Sequence, residues 1–245
     1  MKKINYTKIY KKAANNGRWS RFKKDIDAKW GDIYENLSKK LKGNELLLDI
    51  GTAEGNKFLR LANKIKLGIG IDKEPSMIKL ANKNIKKNRK FKFLVMNANN
   101  LKFPDNMFDI VTAKHSPVNF REIFRVLKPG GIFVTQQVHE LDKNNLKQAF
   151  KRGQGFGVSK KNYLIKRYLI EAKNAGFKMK KQMISNKIYY FINKNKLIKF
   201  LNITPTIPNF GTKNDFKILD NFIKNNLTTK GIKTNAARLF LEFKK

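Results

Sequence analysis

Between residues 46 and 137, short continuous apolar runs alternate with longer amphipathic stretches. Leu46-Leu47-Leu48-Asp49-Ile50, Leu67 to Ile71, Phe91 to Met96, Phe108 to Ala113 and Ile132 to Gln137 each read as a strand. Runs of this length and continuity mark strands buried on both faces. Helical spacing fills 57–65 and 75–88 between them. Strands alternating with helices build a parallel sheet with right-handed crossovers. Upstream, Trp19, Phe22, Ile26, Trp30, Ile33, Leu37 and Leu41 predict a lead-in helix over residues 20–42, ended by Gly43-Asn44. Downstream, a helix over Tyr163 to Ala175 stops at Gly176. Strands follow at Phe177 to Ser185 and Ile188 to Ile192, then a short helix at Leu197 to Leu201 and an irregular Thr204 to Pro208. A helix over Asp215 to Asn226 and a last strand at Leu239 to Phe243 complete the pattern. The fifth strand is entered through the turn Pro129-Gly130-Gly131.

Neither an internal repeat nor a Pro/Ser/Gly-rich linker divides the 245 residues, so the expectation is one domain. Residues 1–43 form its lead-in, 44–137 its central part and 138–245 the substrate side, with 138–175 and 187–233 as covers over the active face. No apolar run approaches the ~18–20 residues of a membrane span. Met1 to Lys12 is basic but lacks the apolar stretch of a secretory signal, and it is Lys- and Asn-rich where a mitochondrial presequence is Arg- and Ser-rich. Cytoplasm is the default compartment; the mitochondrial matrix stays open. The chain has no cysteine, which removes disulfides, Cys-ligated zinc, iron–sulfur clusters and a thiol nucleophile.

Charge changes the picture. Lys and Arg number 54 against 18 Asp and Glu, a formal net charge of +36. AT-rich coding favours Lys, Asn and Ile but does not explain the shortage of acids. Self-repulsion on this scale opposes folding, and a polyanion such as RNA relieves it. Clusters occur at Lys2-Lys3, Lys8 to Lys12, Arg18 to Lys24, Lys39 to Lys42, Lys83 to Lys92, Lys143 to Arg152, Lys160 to Arg167 and Lys178 to Lys181. Lys83 to Lys92 falls at the far edge of the sheet and reads as a solvated face. Tyr10, Trp19, Phe22 and Trp30 are base-stacking or core residues. Gly153-Gln154-Gly155-Phe156-Gly157 reads as a mobile loop or a plain connector.

The candidate chemistry starts at Asp49-Ile50-Gly51-Thr52-Ala53-Glu54-Gly55, directly after the first strand. Small residues there allow a tight turn and a close backbone approach to a nucleotide, and the helix that follows offers free N–H groups. Asp72 ends the second strand, where a carboxylate accepts both hydroxyls of a ribose. The loop lacks the G-x-G-x-x-G spacing of nicotinamide dehydrogenases.

This set resembles the class I S-adenosylmethionine-dependent methyltransferases of the type-11 family, over most of the chain to about residue 137. The resemblance implies a Rossmann-like α/β fold: a mostly parallel seven-stranded sheet with an antiparallel last strand and helices on both faces. It also implies S-adenosyl-L-methionine as cofactor. Asp49, Gly51, Thr52 and Gly55 match the first motif, whose glycines border the methionine part, and Ala53 stands where the family often has glycine. Asp72 matches the ribose acid, and Lys73 and Met77 the adenine-side positions. Asn97-Ala98-Asn99-Asn100-Leu101-Lys102-Phe103-Pro104 looks like the family's D-A-x-x-L-P-F segment, with the Asn97 amide oxygen replacing the usual acid. Phe108-Asp109-Ile110-Val111 and Val126 to Gly131 match the fourth strand and the turn before the fifth. Asp109 reads as a strand brace.

Methyl transfer from a sulfonium needs an acceptor held in line and a place for any released proton. Lys114-His115-Ser116-Pro117, after the fourth strand, falls beside the methyl group. Lys114 is a cofactor contact and His115 a general base, an acceptor-orienting group or simply a loop hydrogen bond. His139, past the fifth strand, is the other histidine and the second catalytic candidate. Gln136 and Gln137 line the pocket or pack. The absence of Cys excludes thiolate C5-pyrimidine chemistry; Ser116-Pro117-Val118 matches the N-P-P-Y loop of adenine-N6 enzymes poorly, and the Lys-Asp-Lys-Glu set of ribose 2′-O enzymes is not evident. The His-Ser-Pro and Phe200 to Pro205 segments are distantly similar to large-subunit rRNA guanine-N1 methyltransferases, which carry a Cys zinc module absent here. The expected function is methylation of RNA, on rRNA or in ribosome assembly, with RNA or a ribosomal particle as partner. The alternatives are a small-molecule methyltransferase and a non-catalytic RNA-binding assembly protein.

Overall fold

The computed structural model describes residues 32–85, 88–157 and 162–245. Sequence expectations before residue 32, including the first three basic clusters and Trp19, Phe22 and Trp30, lie outside the described residues. Strands β1 Leu46–Ile50, β2 Leu67–Asp72, β3 Phe91–Val95, β4 Phe108–Lys114, β5 Leu127–Val138, β6 Lys178–Phe191, β7 Leu227–Thr228 and β8 Gly231–Lys244 form one sheet. Its order is β3-β2-β1-β4-β5-β8-β6, with β7 paired to β8. β1 to β5 pair in parallel. β8 runs antiparallel to β5: Lys245 N donates to Gly131 O at 3.0 Å, while His139 N donates to Ala237 O at 3.1 Å. The fold class is as expected, but eight strands replace seven because the two residues of β7 turn back as a hairpin onto β8.

Element ends differ from the sequence expectation for local reasons. The lead-in helix is only Ile33–Ser38 among the described residues; beyond it the Glu45 carboxylate accepts from Lys42 N and Gly43 N and turns the chain. The expected helix 57–65 is a 3-10 helix, Phe58–Lys64, burying Phe58 and Leu61 at i,i+3 spacing. Helix Pro75–Asn84 stops short of residue 88. Pro129-Gly130-Gly131 lies inside β5, where Gly130 N donates to Lys245 O at 3.2 Å. The two expected strands at 177–185 and 188–192 are one, β6, because Asn235 Nδ2 donates to Asn186 Oδ1 at 2.8 Å across the supposed break. β8 starts at Gly231 rather than Leu239. Its polar start is consumed internally, with Thr234 Oγ1 donating to Asn145 Oδ1 and Asn235 Nδ2 to Leu141 O. Helix Lys213–Asn226 begins two residues early because Thr212 and Asp215 form a capping box.

The chain falls into two compact units. One contains the described part of 28–137 with Ile165–Met183 and Leu239–Lys245. Its apolar centre includes Leu47, Phe58, Leu61, Phe91, Phe93 and Val134. Phe133 stacks on Phe243 at 6.0 Å between ring centroids, and Phe120 meets Phe243 edge-on at 5.5 Å. Asp109 braces this unit as expected, accepting from Leu46 N at 2.8 Å and from Lys128 Nζ at 2.7 Å.

The other unit contains Val138–Leu164 and Ile184–Arg238. Leu146, Leu197, Leu219, Phe222 and Ile232 fill its centre. Two lysines of the basic cluster Lys143 to Arg152 are turned inward, while Lys151 stays exposed. Lys143 and Lys147 are each 2% exposed. Lys143 Nζ donates to Asn235 O and lies 4.5 Å from the Tyr189 ring centroid, and Lys147 Nζ donates to Gln154 O. Arg152 pairs with Asp215 at 2.8 Å. Ammonium groups held this way are spent on the fold and are not available to a polyanion. Gly153 to Gly157 is strapped down by Gln154 N donating to Thr206 O and Phe156 N to Gly153 O.

Candidate cofactor site

Parallel strands leave their loops at the carboxyl edge of the sheet, where such folds bind ligands. At the end of β1 the chain turns at Gly51, with φ +71°. Gly51 N and Thr52 N both donate to Ile71 O, at 2.8 and 2.9 Å, so the turn lies across the tip of β2. A Cβ on Gly51 would stand 2.3 Å from Ser116 Cβ. Ser116 is fixed there by its Oγ bond to Ile50 O at 2.7 Å and by Gln137 Nε2 donating to Ser116 O at 3.0 Å. Gln137 therefore packs and braces. Gly55, φ +72°, closes the turn against the Phe93 ring.

Ala53 takes a left-handed φ of +50°, a conformation that costs a non-glycine residue about 1–2 kcal/mol. Its N–H donates to Asp72 Oδ2 at 3.0 Å, and Glu74 N donates to Asp72 Oδ1 at 3.0 Å. The strand-one turn and the strand-two acid are thus joined by a direct bond. Burial raises the Asp72 carboxyl above its ordinary value, against these two N–H groups, which lower it.

Beneath the turn, Asp49 is fully buried; Tyr34 Oη and Thr112 Oγ1 donate to its Oδ1 at 2.8 and 2.7 Å. Burial pushes the Asp49 carboxyl up to about 6, and the hydroxyl donors only partly offset it. The folded protein therefore holds this proton to about pH 6, whereas the unfolded carboxyl releases it near 3.8. The resulting stability is complete below the lower value and is lost as pH rises through the upper one. An Asp49→Asn chain keeps an acceptor for Tyr34 and Thr112 without the charge. Its stability relative to wild type is expected to improve between pH 4 and 7, by up to about 3 kcal/mol. Urea unfolding of both proteins across that range checks this; parallel stability curves would refute it.

The remaining predicted residues are distributed as follows. Lys114 ends β4, and its Nζ lies 2.7 Å from Asp32 Oδ2, which also holds Lys57 Nζ at 2.6 Å. His115 is exposed, has φ +52°, and its N–H donates to Gln136 O at 2.8 Å. Lys73 is exposed and Met77 is buried on helix Pro75–Asn84. Asn97, also exposed, accepts from Asn99 N at 3.0 Å in a local turn, beside half-buried Ala98. An amide oxygen has two lone pairs, so one remains. Arg125 ties this segment down, donating to Leu101 O, Phe103 O and the carboxylates of Asp105 and Glu122. In the other unit, His139 is 2% exposed. Its Nδ1 accepts from Leu141 N at 3.2 Å, so the neutral ring carries its proton on Nε2, 3.4 Å from Glu140 Oε2. Burial lowers the His139 pKa. In this tautomer the Nε2 is a donor, not a base.

Sequence reading missed Tyr34, Asp32, Lys57, Glu122 and Arg125. Tyr34 and Lys57 sit in helical patterns indistinguishable from ordinary packing or solvated positions. Arg125 and Glu122 follow a visible i,i+3 spacing, but their targets 20 residues upstream carry no local signal.

Residues 48–135 match a family model described as a methyltransferase domain. That span holds the turn, Asp72, Asn97 and the end of β4. A ubiquinone/menaquinone biosynthesis C-methyltransferase of Rickettsia bellii is 30% identical over 145 residues, covering 53% of this chain and 57% of that protein. The chain thus spans little more than half the length of this curated relative. A solved Bacillus halodurans protein shares the fold at TM-score 0.64 and 20% identity, over 87% of this chain and 97% of its own. The [4+2]-cyclase SpnF does so at TM-score 0.59 and 19% identity, over 98% and 94%. The residues at the turn and at the tip of β2 fit an adenosyl cofactor on two counts. Asp72 keeps lone pairs beyond its two backbone donors. Around the same turn, Glu54 Oε2 is buried without a hydrogen-bond partner among the described residues, which is unusual unless a further polar group completes it.

Proposed function

We propose that this protein is an S-adenosylmethionine-dependent methyltransferase. The observation that carries the reading is the bond from Ala53 N to Asp72 Oδ2, which sets a tight glycine turn and a ribose-competent acid side by side. The cofactor supplies a sulfonium-bound methyl group. Asp72 accepts its ribose hydroxyls; Lys73, Met77, Asn97 and Ala98 border the adenine side; Gly51 to Gly55 border the amino-acid side. His115, at the exposed end of the β4 loop, orients the acceptor.

A small aromatic acceptor is favoured, because the Rickettsia bellii relative is named for quinone C-methylation. RNA is the second reading, favoured by the net charge of +36. Tritiated S-adenosylmethionine, offered with a quinone-containing lipid extract and separately with total RNA at ~150 mM salt, distinguishes them. Label in the lipid extract is expected. Label in RNA alone selects the second reading, and label in neither, with no binding of S-adenosylhomocysteine by calorimetry, overturns the proposal.

A further inference from the structure

One charged cluster joins Lys114, expected from the sequence as a cofactor contact, to two residues with no role assigned above, Asp32 and Lys57. Lys57 Nζ and Lys114 Nζ converge on a single oxygen, Asp32 Oδ2, at 2.6 and 2.7 Å. The three side chains are 25%, 11% and 18% exposed, so water screens them little. Among the described residues no second carboxylate is paired with either lysine, and one carboxylate cannot neutralise two ammonium groups. The other Asp32 oxygen, Oδ1, caps helix Ile33–Ser38 by accepting from Tyr34 N. A cavity of about 190 Å³ adjoins the cluster, lined by Asp32 and Lys57 together with Tyr34, Glu35, Ser38, Arg60 and Leu61.

The cluster reaches the foot of the glycine turn through Tyr34: Lys114 Nζ lies 6.0 Å from the Tyr34 ring centroid, and Tyr34 Oη donates at 2.8 Å to Asp49 Oδ1, two residues before Gly51. Amino-acid ends of ligands carry a carboxylate, which is the group two ammonium ions prefer to meet. Burial and charge pull the three groups in opposite directions. Burial opposes the Asp32 charge, yet the two lysines outweigh it and bring the carboxyl down to about 2. Burial and the neighbouring Lys57 lower Lys114 to about 7, against the pull of Asp32.

We propose that Asp32 is a built-in competitor for the carboxylate of the cofactor's amino-acid end, holding Lys57 and Lys114 in the ligand-free protein and yielding them to that carboxylate on binding. The proposal rests on the methyltransferase reading. It assigns Lys57 and Lys114 the discrimination between adenosyl ligands that carry an amino-acid carboxylate and those that do not. Asp32 sets how strong that discrimination is.

Asp32→Asn keeps an oxygen to cap the helix and makes the cluster more positive by one charge at any protonation of the lysines. Calorimetric titration with S-adenosylhomocysteine and with 5′-methylthioadenosine, which lacks the amino-acid end, is the test. Asp32→Asn is expected to bind S-adenosylhomocysteine about tenfold more tightly, with methylthioadenosine unchanged. Replacing Lys57 and Lys114 together by Met is expected to bring S-adenosylhomocysteine down to the affinity of methylthioadenosine. The inference is overturned if Asp32→Asn binds S-adenosylhomocysteine no more tightly, or if both ligands shift together. Wild-type protein that binds neither ligand overturns the methyltransferase reading itself; wild-type protein that binds both equally overturns only the inference.

Discussion

Asp72→Ala is expected to weaken binding of S-adenosylhomocysteine by at least about 100-fold. Two terms add. Charge-assisted hydrogen bonds to the ribose hydroxyls contribute roughly 1.5–3 kcal/mol each, and every 1.4 kcal/mol is about a factor of ten. The same carboxylate also anchors the turn through Ala53 N and the next helix through Glu74 N. Without it Ala53, already left-handed at φ +50°, loses the bond that holds it there. Asp72→Asn retains one acceptor oxygen and is expected to lose about tenfold. Calorimetry on all three proteins gives the comparison, with circular dichroism to confirm that each is folded. Equal affinity in wild type and Asp72→Ala would remove this acid from the site.

Gly51→Ala is expected to destabilise the protein by about 2–4 kcal/mol. Part of this is the left-handed backbone, about 1–2 kcal/mol for a residue with a Cβ. The rest is overpacking, since that Cβ would sit 2.3 Å from Ser116 Cβ, and Ser116 cannot retreat while its Oγ is bonded to Ile50 O and its carbonyl to Gln137. For a domain of this size the loss corresponds to a melting shift of roughly 4–16 °C. Ser116→Gly removes the facing Cβ, so the double variant should recover the steric part and keep the backbone part. A double-mutant cycle therefore reads a coupling of opposite sign to the single losses. Additive losses would mean that the β4 loop simply moves aside.

How much was legible beforehand differs between the two halves of the chain. β1, β2 and β4 are readable almost to the residue because strands covered on both faces are continuously apolar, and Leu46-Leu47-Leu48-Asp49-Ile50, bounded by Gly43-Asn44 and Gly51, is too short for a helix. The turn and Asp72 were readable because glycine spacing and a strand-end acid are local features. β6 and β8 were not, since their middles are Ser185-Asn186-Lys187 and Thr234-Asn235. Asn186, Asn235 and Thr234 are accommodated there by hydrogen bonds between Asn235 and Asn186 and between Thr234 and Asn145, partners up to 89 positions away.

The charge taught the opposite lesson. Composition suggested that basic clusters await a polyanion, and counting is blind to where a side chain points. Lys143 and Lys147 are turned inward onto backbone carbonyls and an aromatic ring. In the same way, the position of His139 past the fifth strand gives no sign that its Nδ1 accepts from Leu141 N.

The order of residues alone determined a parallel α/β sheet, a nucleotide-type turn and the acid that faces it, because each is encoded within a few neighbouring positions. Only the tertiary structure decided that Asp32 stands between Lys57 and Lys114, that Tyr34 and Thr112 hold Asp49, and which lysines turn inward. Those pairings join segments tens of residues apart, and their energies depend on distance and burial, which have no counterpart along the chain.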